Sequence, residues 1–165
     1  MTGGHHTGKL IVSLVTCLLP GYIALYLFTT SIPGWYSNLN KPDFVPPDII
    51  VFYTIIFAFS LLGLTMYSIW NAGLLHRDVK AAFQMFLFVL ILFFFWFVAF
   101  FYIQSVFFAL IVMIMTIAVM LCVLVQALLS TVGSALFIVP SLILMLVFCC
   151  ANLMILLMNS NLPFG

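Results

Sequence analysis

Long apolar runs separated by short polar breaks make up the chain from residue 10 onward. A helix needs about 20 consecutive apolar residues to cross a bilayer, and five runs have that length. The breaks fall at residues 31–47, 71–80, 102–105 and 129–135. The pattern predicts an all-α protein with one domain, residues 1–165. It is an integral membrane bundle of five transmembrane helices, at about 10–30, 48–70, 81–102, 106–129 and 135–158.

The first run has a rival interpretation as a secretory signal peptide. It is longer than the apolar core of a signal peptide, which is about 7–15 residues, and no A-x-A cleavage site follows it. We therefore interpret it as the first helix. Pro20 and Gly21 lie within it and predict either a kink or a notch for close packing.

Prolines mark two other places along the helices. Pro46 and Pro47 fit the start of the second helix, where a missing N–H does no harm. Asp48 then lies in the first turn, where a negative charge is favourable to the helix dipole. Pro140 lies about one and a half turns into the fifth helix and is expected to bend it.

Composition reinforces the membrane interpretation. The chain is 67% hydrophobic and 4% charged, whereas a soluble domain carries about 25% charged residues. No charged residue occurs between residues 81 and 165, so this half is expected to lie in the lipid bilayer or against protein. Nucleic-acid binding is excluded because the chain has no basic patch.

Catalytic and metal-binding patterns are missing from the sequence. His5, His6 and His76 lie in polar segments and are interpreted as solvated. There is no Gly-rich phosphate loop, and no histidine cluster has the spacing of a metal site. We predict no catalytic residues, no metal site and no required cofactor, and a protein that is more readily a binding protein than an enzyme.

The basic residues predict the orientation. With five helices, Lys9, Arg77 and Lys80 fall on one side of the membrane and Lys41 falls on the other. The positive-inside rule then places the N-terminus in the cytoplasm and residues 31–47 outside. The pattern is equally compatible with a bacterial or archaeal plasma membrane and with an organelle membrane.

The segment WYSNLNKPDFVPP, residues 35–47, is the most specific signal in the chain. Its aromatic and basic residue types suit a membrane interface, but that does not explain their spacing. The spacing W-Y-x-x-L-x-K-P-x-x-x-P-P resembles the loop signature of the TspO/MBR family, the tryptophan-rich sensory proteins and translocator proteins. The matching residues are Trp35, Tyr36, Leu39, Lys41, Pro42, Pro46 and Pro47.

The resemblance extends over nearly the whole chain. Residues of the second, third and fifth predicted helices fall at the relative positions of the family's glycine, aromatic, proline and asparagine residues. These are Gly63, Tyr67, Trp70, Trp96, Phe100, Phe101, Pro140, Asn152 and Asn159.

The resemblance implies a five-helix bundle, often a homodimer, with a pocket between the helices beneath the motif loop. The implied ligands are tetrapyrroles such as protoporphyrin, and sterols in eukaryotic members. On this basis the chain is expected to bind a hydrophobic small molecule for transport or sensing. Two alternatives stay open: a structural or assembly protein with a degenerate pocket, and a porphyrin-degrading enzyme of the kind suggested for some bacterial members.

The resemblance also implies a set of ligand-binding positions, with Gly63, Pro140 and Asn152 in structural roles. The implied ligand-binding residues are Trp35, Tyr36, Leu39, Lys41, Pro42, Pro46, Pro47, Ile55, Phe59, Phe93, Trp96, Phe97, Leu144 and Phe148.

Several pocket positions depart from the family pattern toward apolar residues. Ile55 and Leu144 stand where the family often has tryptophan, and Phe93 stands where it has asparagine. Lys41 is the only base on the loop side that could pair with the propionates of a porphyrin. Sterols, isoprenoids or other neutral lipids are therefore expected to suit this pocket at least as well as a porphyrin.

Overall fold

The computed structural model describes residues 3–130 and 135–159, and within them all regular structure is helical. The five long helices are α1 (Gly3–Ser31), α2 (Asp48–Asn71), α3 (Arg77–Phe97), α4 (Val106–Ser130) and α5 (Ala135–Met158). Each contains a stretch long and apolar enough to cross a membrane. The predicted fold class, a multi-pass bundle of five transmembrane helices, is confirmed.

The helices follow one another around the bundle in the order α1, α2, α5, α4, α3. The most extensive contacts are between α3 and α4 and between α1 and α2, whereas α3 contacts α1 and α2 only over a short stretch. Helices α3 and α5 are not among the closely packed pairs. The space between them is therefore available for aromatic side chains and for a cleft.

Two helices begin earlier than the apolar pattern indicates. α1 begins at Gly3 rather than near residue 10, and α3 begins at Arg77 rather than at residue 81. Hydropathy marks where a helix enters lipid, whereas the backbone hydrogen bonds continue into the aqueous phase. Asp78 in the first turn of α3 favours the helix dipole, and buried Val79 anchors that turn to the bundle.

The predicted break at residues 102–105 is a compact turn with a π-helical segment before it. Residues Val98–Tyr102 are π-helical, and the Ile103 amide donates to the Val98 carbonyl 2.9 Å away. Gln104 has a φ of 60°, the left-handed conformation in which helices commonly end. The Ser105 hydroxyl oxygen accepts from the Phe108 amide at 3.3 Å and caps the start of α4. The next predicted break, with Gly133, lies outside the described residues.

Glycines set the close approach of α1 to α2. A Cβ atom on Gly63 would lie 2.8 Å from Leu14 Cδ2 and 3.0 Å from Leu14 Cα. A Cβ atom on Gly21 would lie 2.7 Å from Phe59 Cγ. Gly21 is thus a packing notch, one of the two roles that Pro20-Gly21 predicts. Only residues without a side chain allow this spacing between the helices.

A small polar contact joins α2 to α5 in the same half of the bundle. The hydroxyl oxygens of Thr65 and Ser141 lie 3.1 Å apart, and both are within hydrogen-bond distance of the Phe137 carbonyl oxygen, at 3.1 and 2.8 Å. Both side chains are buried. Hydroxyls commonly satisfy the backbone beside a proline in a membrane helix, and Pro140 lies in this turn of α5.

Candidate ligand-binding cleft

A cleft opens in the half of the bundle next to the α1–α2 loop, residues 32–47. We call this end the loop half, and the opposite end, which holds Gly63, Thr65 and Ser141, the packed half. The cavity volume of the cleft is about 170 Å³, and the roughly 800 Å³ of empty space around it includes the open mouth. Small-molecule sites typically measure about 300–1,000 Å³. The cavity alone is therefore smaller than a typical ligand site, and a molecule of ordinary ligand size would also occupy the mouth.

Four segments line the cleft. The lining residues are Tyr36, Phe44, Val45 and Pro46 from the loop, Val51, Thr54 and Ile55 from α2, Trp96, Phe97, Phe100 and Phe101 from α3 and its π-helical end, and Leu144, Val147, Phe148, Ala151, Asn152 and Ile155 from α5. Apart from Tyr36, Thr54 and Asn152, they are apolar. The lining residues within each helix follow the helical period, because residues three and four apart lie on one face.

An aromatic cluster forms the α3 wall. The Trp96 ring contacts Phe148 of α5, at 5.3 Å, and Phe97, at 4.7 Å, measured between ring centroids. Phe100 contacts both Trp96, at 5.5 Å, and Trp35 of the loop, at 5.2 Å. Offset and edge-to-face aromatic pairs of this kind contribute roughly 0.5–1.5 kcal/mol each beyond their buried area. The wall is therefore stiff, and it connects the loop to α5.

Asn152 fixes the position of Trp96. In the amide orientation that satisfies its neighbours, the Asn152 oxygen accepts from Trp96 Nε1 at 2.9 Å and from the Leu110 amide at 3.1 Å. Its nitrogen donates to the Val106 carbonyl oxygen at 3.0 Å. Asn152 thus joins α5, α3 and the first turn of α4 with a buried side chain. A buried polar side chain in a membrane bundle is expected to find such partners on other helices.

The loop is held over the cleft by contacts at both of its sides. The buried Tyr36 ring packs edge-on against Phe28 of α1, at 5.4 Å, and against Phe101 at 5.7 Å. At the other side, the Asn159 amide nitrogen donates to the Asn40 carbonyl at 2.8 Å, and its oxygen accepts from the Asn40 amide at 3.0 Å. This pair of hydrogen bonds ties the loop to the end of α5.

Lys41 of the loop interacts with Asp48, the first residue of α2, next to the cleft-lining Tyr36. Lys41 Nζ lies 3.8 Å from Asp48 Oδ1 and 3.8 Å from the centroid of the Tyr36 ring. Burial first, and the Asp48 charge second, raise the pKa of Tyr36 to about 12. Tyr36 is therefore a neutral phenol at physiological pH, able to donate a hydrogen bond.

Seven of the residues implied by the family resemblance line the cleft: Tyr36, Pro46, Ile55, Trp96, Phe97, Leu144 and Phe148. The other seven lie elsewhere. Trp35 supports Phe100 from outside, and Lys41 faces Asp48 and Tyr36. Buried Leu39 and Pro42 hold the loop down, and Pro47 precedes the first turn of α2.

Phe59 and Phe93 form a layer behind the lining residues rather than part of it. Both are almost fully buried, and their rings lie 5.4 Å apart. Phe93 stacks on Trp96 with an interplanar angle of 9°. They pack the base of the aromatic wall and do not face the open cleft.

Several cleft residues were missed by sequence reasoning. The α5 face at 144, 147, 148, 151, 152 and 155 follows the helical period, so extending the period from Leu144 would have identified Ala151 and Ile155. Phe44 and Val45 carried no such signal, because their position depends on the course of the loop. The hydrogen bonds between Asn40 and Asn159 join residues 119 positions apart, so no local sequence pattern indicates them.

No metal site accompanies the cleft: within residues 3–130 and 135–159, no group of His, Cys, Asp or Glu side chains is placed to hold a metal ion. Tyr36 is the one lining residue with an ionisable side chain. The arrangement is thus equipped to enclose an apolar molecule and to offer it at most a few hydrogen bonds.

The sequence was compared with protein families and with known proteins. A sequence model of the TspO/MBR family matches residues 13–158. The chain is also similar to the tryptophan-rich protein TspO of Archaeoglobus fulgidus, with 29% identity over 76 residues. That alignment covers 46% of this chain and 50% of the archaeal protein, so the chain spans about half the length of the curated relative that it matches.

Proposed function

The chain belongs to the TspO/MBR family, and on that premise we propose that it binds a hydrophobic small molecule in the loop-half cleft. The bound molecule would be carried or sensed at the membrane. The cleft itself gives the main support: a cavity of about 170 Å³ with an open mouth, walled by aromatic and aliphatic side chains under a tethered loop. A mostly apolar lining with a few placed polar groups is typical of ligand sites.

The contacts that surround the cleft support binding over a purely structural role. A bundle that had lost its pocket would fill this space with side chains, since protein interiors are closely packed. Here the Trp96 and Phe148 rings contact each other, with centroids 5.3 Å apart, and a cavity of about 170 Å³ stays open beside them. The Asn152 hydrogen bonds hold the Trp96 wall in place without occupying the cleft.

The experiment is a ligand titration of the purified protein in lipid nanodiscs, followed by tryptophan fluorescence. The Trp70→Phe background removes the reporter in the packed half, where Trp70 packs against Phe83. The probes are protoporphyrin IX, its dimethyl ester, and the fluorescent sterol dehydroergosterol. We expect saturable quenching or energy transfer with at least one of them, because Trp96 lines the cleft.

Cleft-filling variants make the test specific. Ala151→Phe, on the α5 wall, and Thr54→Phe, on the α2 wall, are each expected to weaken binding about tenfold or more, since a ring occupies the ligand volume. Ala118→Phe is the matched control, because Ala118 is exposed on α4 and does not line the cleft. The proposal is wrong if none of the probes saturates, or if both cleft-filling variants bind as the control does.

A further inference from the structure

The charges at the mouth of the cleft are unfavourable for an anionic ligand. Of the four Lys and Arg residues in the chain, Lys41 alone lies at the loop end, and Lys9, Arg77 and Lys80 lie at the other. The acidic side chains at the loop end are Asp43 and Asp48. One positive and two negative charges give this end a net charge of −1. An approaching carboxylate therefore meets repulsion rather than attraction.

Lys41 is already occupied. Its ammonium group lies 3.8 Å from Asp48 Oδ1 and 3.8 Å from the centre of the Tyr36 ring. An ammonium group is attracted to the negative face of an aromatic ring as well as to a carboxylate. Tyr36 lines the cleft and Lys41 does not. The Lys41 ammonium group therefore lies over the Tyr36 ring and outside the cleft lining.

Inside the cleft, the polar groups offer little to a carboxylate. The Thr54 hydroxyl donates to the Ile50 carbonyl at 2.8 Å. The Asn152 amide oxygen accepts from Trp96 and Leu110, and one of its N–H groups donates to the Val106 carbonyl. Among the lining residues that the structure describes, the side-chain donors left for a ligand are the Tyr36 hydroxyl, which its raised pKa keeps protonated, and the second N–H of the buried Asn152 amide. A phenol and one amide N–H carry no positive charge and are weak partners for an ion removed from water, which loses a large hydration energy.

From these three observations we infer that the cleft selects neutral ligands and rejects carboxylates, and that the Asp48–Lys41–Tyr36 contact is the charge filter. This inference rests on the proposed binding function and specifies its ligand class. The ligand is an apolar molecule without an ionised group, and its one favoured polar atom is a hydrogen-bond acceptor that reaches the Tyr36 hydroxyl. Asp48 acts on specificity by holding the only cation at the mouth away from the ligand.

The test uses one macrocycle in two charge states. Protoporphyrin IX carries two carboxylates at pH 7.5, and its dimethyl ester carries none. We expect the ester to saturate the nanodisc-embedded protein and the diacid to bind about tenfold more weakly, as the unpaired carboxylates must be desolvated. Empty nanodiscs provide the partition background for each probe. If the diacid binds as tightly as the ester, the inference fails while the binding function stands; if neither saturates, and dehydroergosterol does not saturate either, the binding function fails.

Variants then locate the filter. Asp48→Asn releases Lys41 and is expected to tighten diacid binding about threefold relative to ester binding, because an exposed charge pair contributes only a modest interaction. Asp43→Asn is the matched control, since it makes the same charge change at the same end of the bundle and Asp43 is not paired with Lys41. The double variant Lys41→Gln/Asp48→Asn should lose the gain. Equal gains from Asp43→Asn, or a gain that survives Lys41→Gln, would overturn the role of the Lys41–Asp48 contact.

Discussion

The packed half and the loop half are built from the same helices, but the helices pack closely in the first and leave a cleft in the second. In the packed half, Gly63 and Thr65 of α2 allow close contact with α1 and α5. In the loop half, aromatic and branched side chains on α2, α3 and α5 leave a cleft between them. Small residues on α2 thus accompany close helix packing, and larger residues on the same helix line the cleft.

The two halves also differ in how their polar groups are used. Thr65 and Ser141 in the packed half contact each other and the backbone, and they serve only to join two helices. Asn152 and Asn159 in the loop half hold a cleft wall and the loop over the cleft. Hydrogen bonding in the first region supports stability, whereas in the second it shapes the site.

Gly63→Val should destabilise the bundle most, because its new side chain meets the Leu14 backbone at van der Waals overlap. Overpacking of this kind costs about 1–3 kcal/mol, and occasionally more. Thermal unfolding in detergent should show a fall of several degrees in the midpoint, as expected for about that free energy. Gly34→Val is the control, since a Cβ atom on Gly34 has nothing within 4 Å. Equal midpoints for the two variants would show that α1 and α2 are not packed this closely.

Asn152→Leu and Thr65→Val form a pair that separates the two halves. Each removes buried hydrogen bonds, and Asn152→Leu leaves Trp96 Nε1 without its partner, which costs about 1–3 kcal/mol. Both variants should unfold more easily. Only Asn152→Leu should shift the Trp96 emission spectrum, measured in the Trp35→Phe/Trp70→Phe background. A matching shift from Thr65→Val would mean that the two halves are not independent.

Asn159→Ala should loosen the loop and leave the packed half unchanged. It removes both hydrogen bonds to Asn40, each with a net value of about 0.5–1.5 kcal/mol. Amide hydrogen exchange of residues 36–41 should quicken about tenfold, and a bound probe should dissociate faster. Asn38→Ala serves as the control, because Asn38 is exposed on the same loop. Unchanged exchange in Asn159→Ala would rule out the tether.

The smallest effect is the titration of Tyr36. Its pKa is raised from 10.0 to about 12, so the fold favours the neutral phenol. The stabilising contribution is complete below pH 10 and is lost as the pH rises toward 12. The phenolate absorbance of the wild type minus that of Tyr36→Phe should therefore have its midpoint near pH 12. A midpoint near pH 10, the ordinary value for tyrosine, would place Tyr36 in contact with water.

Sequence reasoning predicted the fold well, because lipid imposes a strong pattern. The five apolar runs gave the number of helices, and the proline pair with Asp48 located the start of α2. The polar first turns of α1 and α3 were assigned to loops, because a polar helical turn outside the bilayer looks like a loop in hydropathy. The π-helical segment after Phe97 was also unforeseen, since a shift in backbone hydrogen bonding leaves apolar composition unchanged.

The site was less predictable than the fold. The motif loop and the aromatic residues of α3 pointed to the half of the bundle in which the cleft opens. Lys41 was expected to be available to an anionic ligand, whereas it lies against Asp48 and Tyr36. Asp48 had been assigned only to the helix dipole. Asp48 lies in the first turn of α2 and also contacts Lys41. The second contact depends on the course of the loop in three dimensions and has no pattern in the sequence.

The proposed ligand site is the loop half, and not the packed half or the lipid-facing surface. Photolabelling with a diazirine-bearing sterol, with and without excess unlabelled sterol, tests it most directly. We predict that the labels removed by competition map to residues 51–55, 96–101 and 144–155, which line the cleft. Competed labels at Thr65 and Ser141, or at exposed apolar positions such as Ile11 and Leu19, would contradict the claim, as would the absence of any competed label.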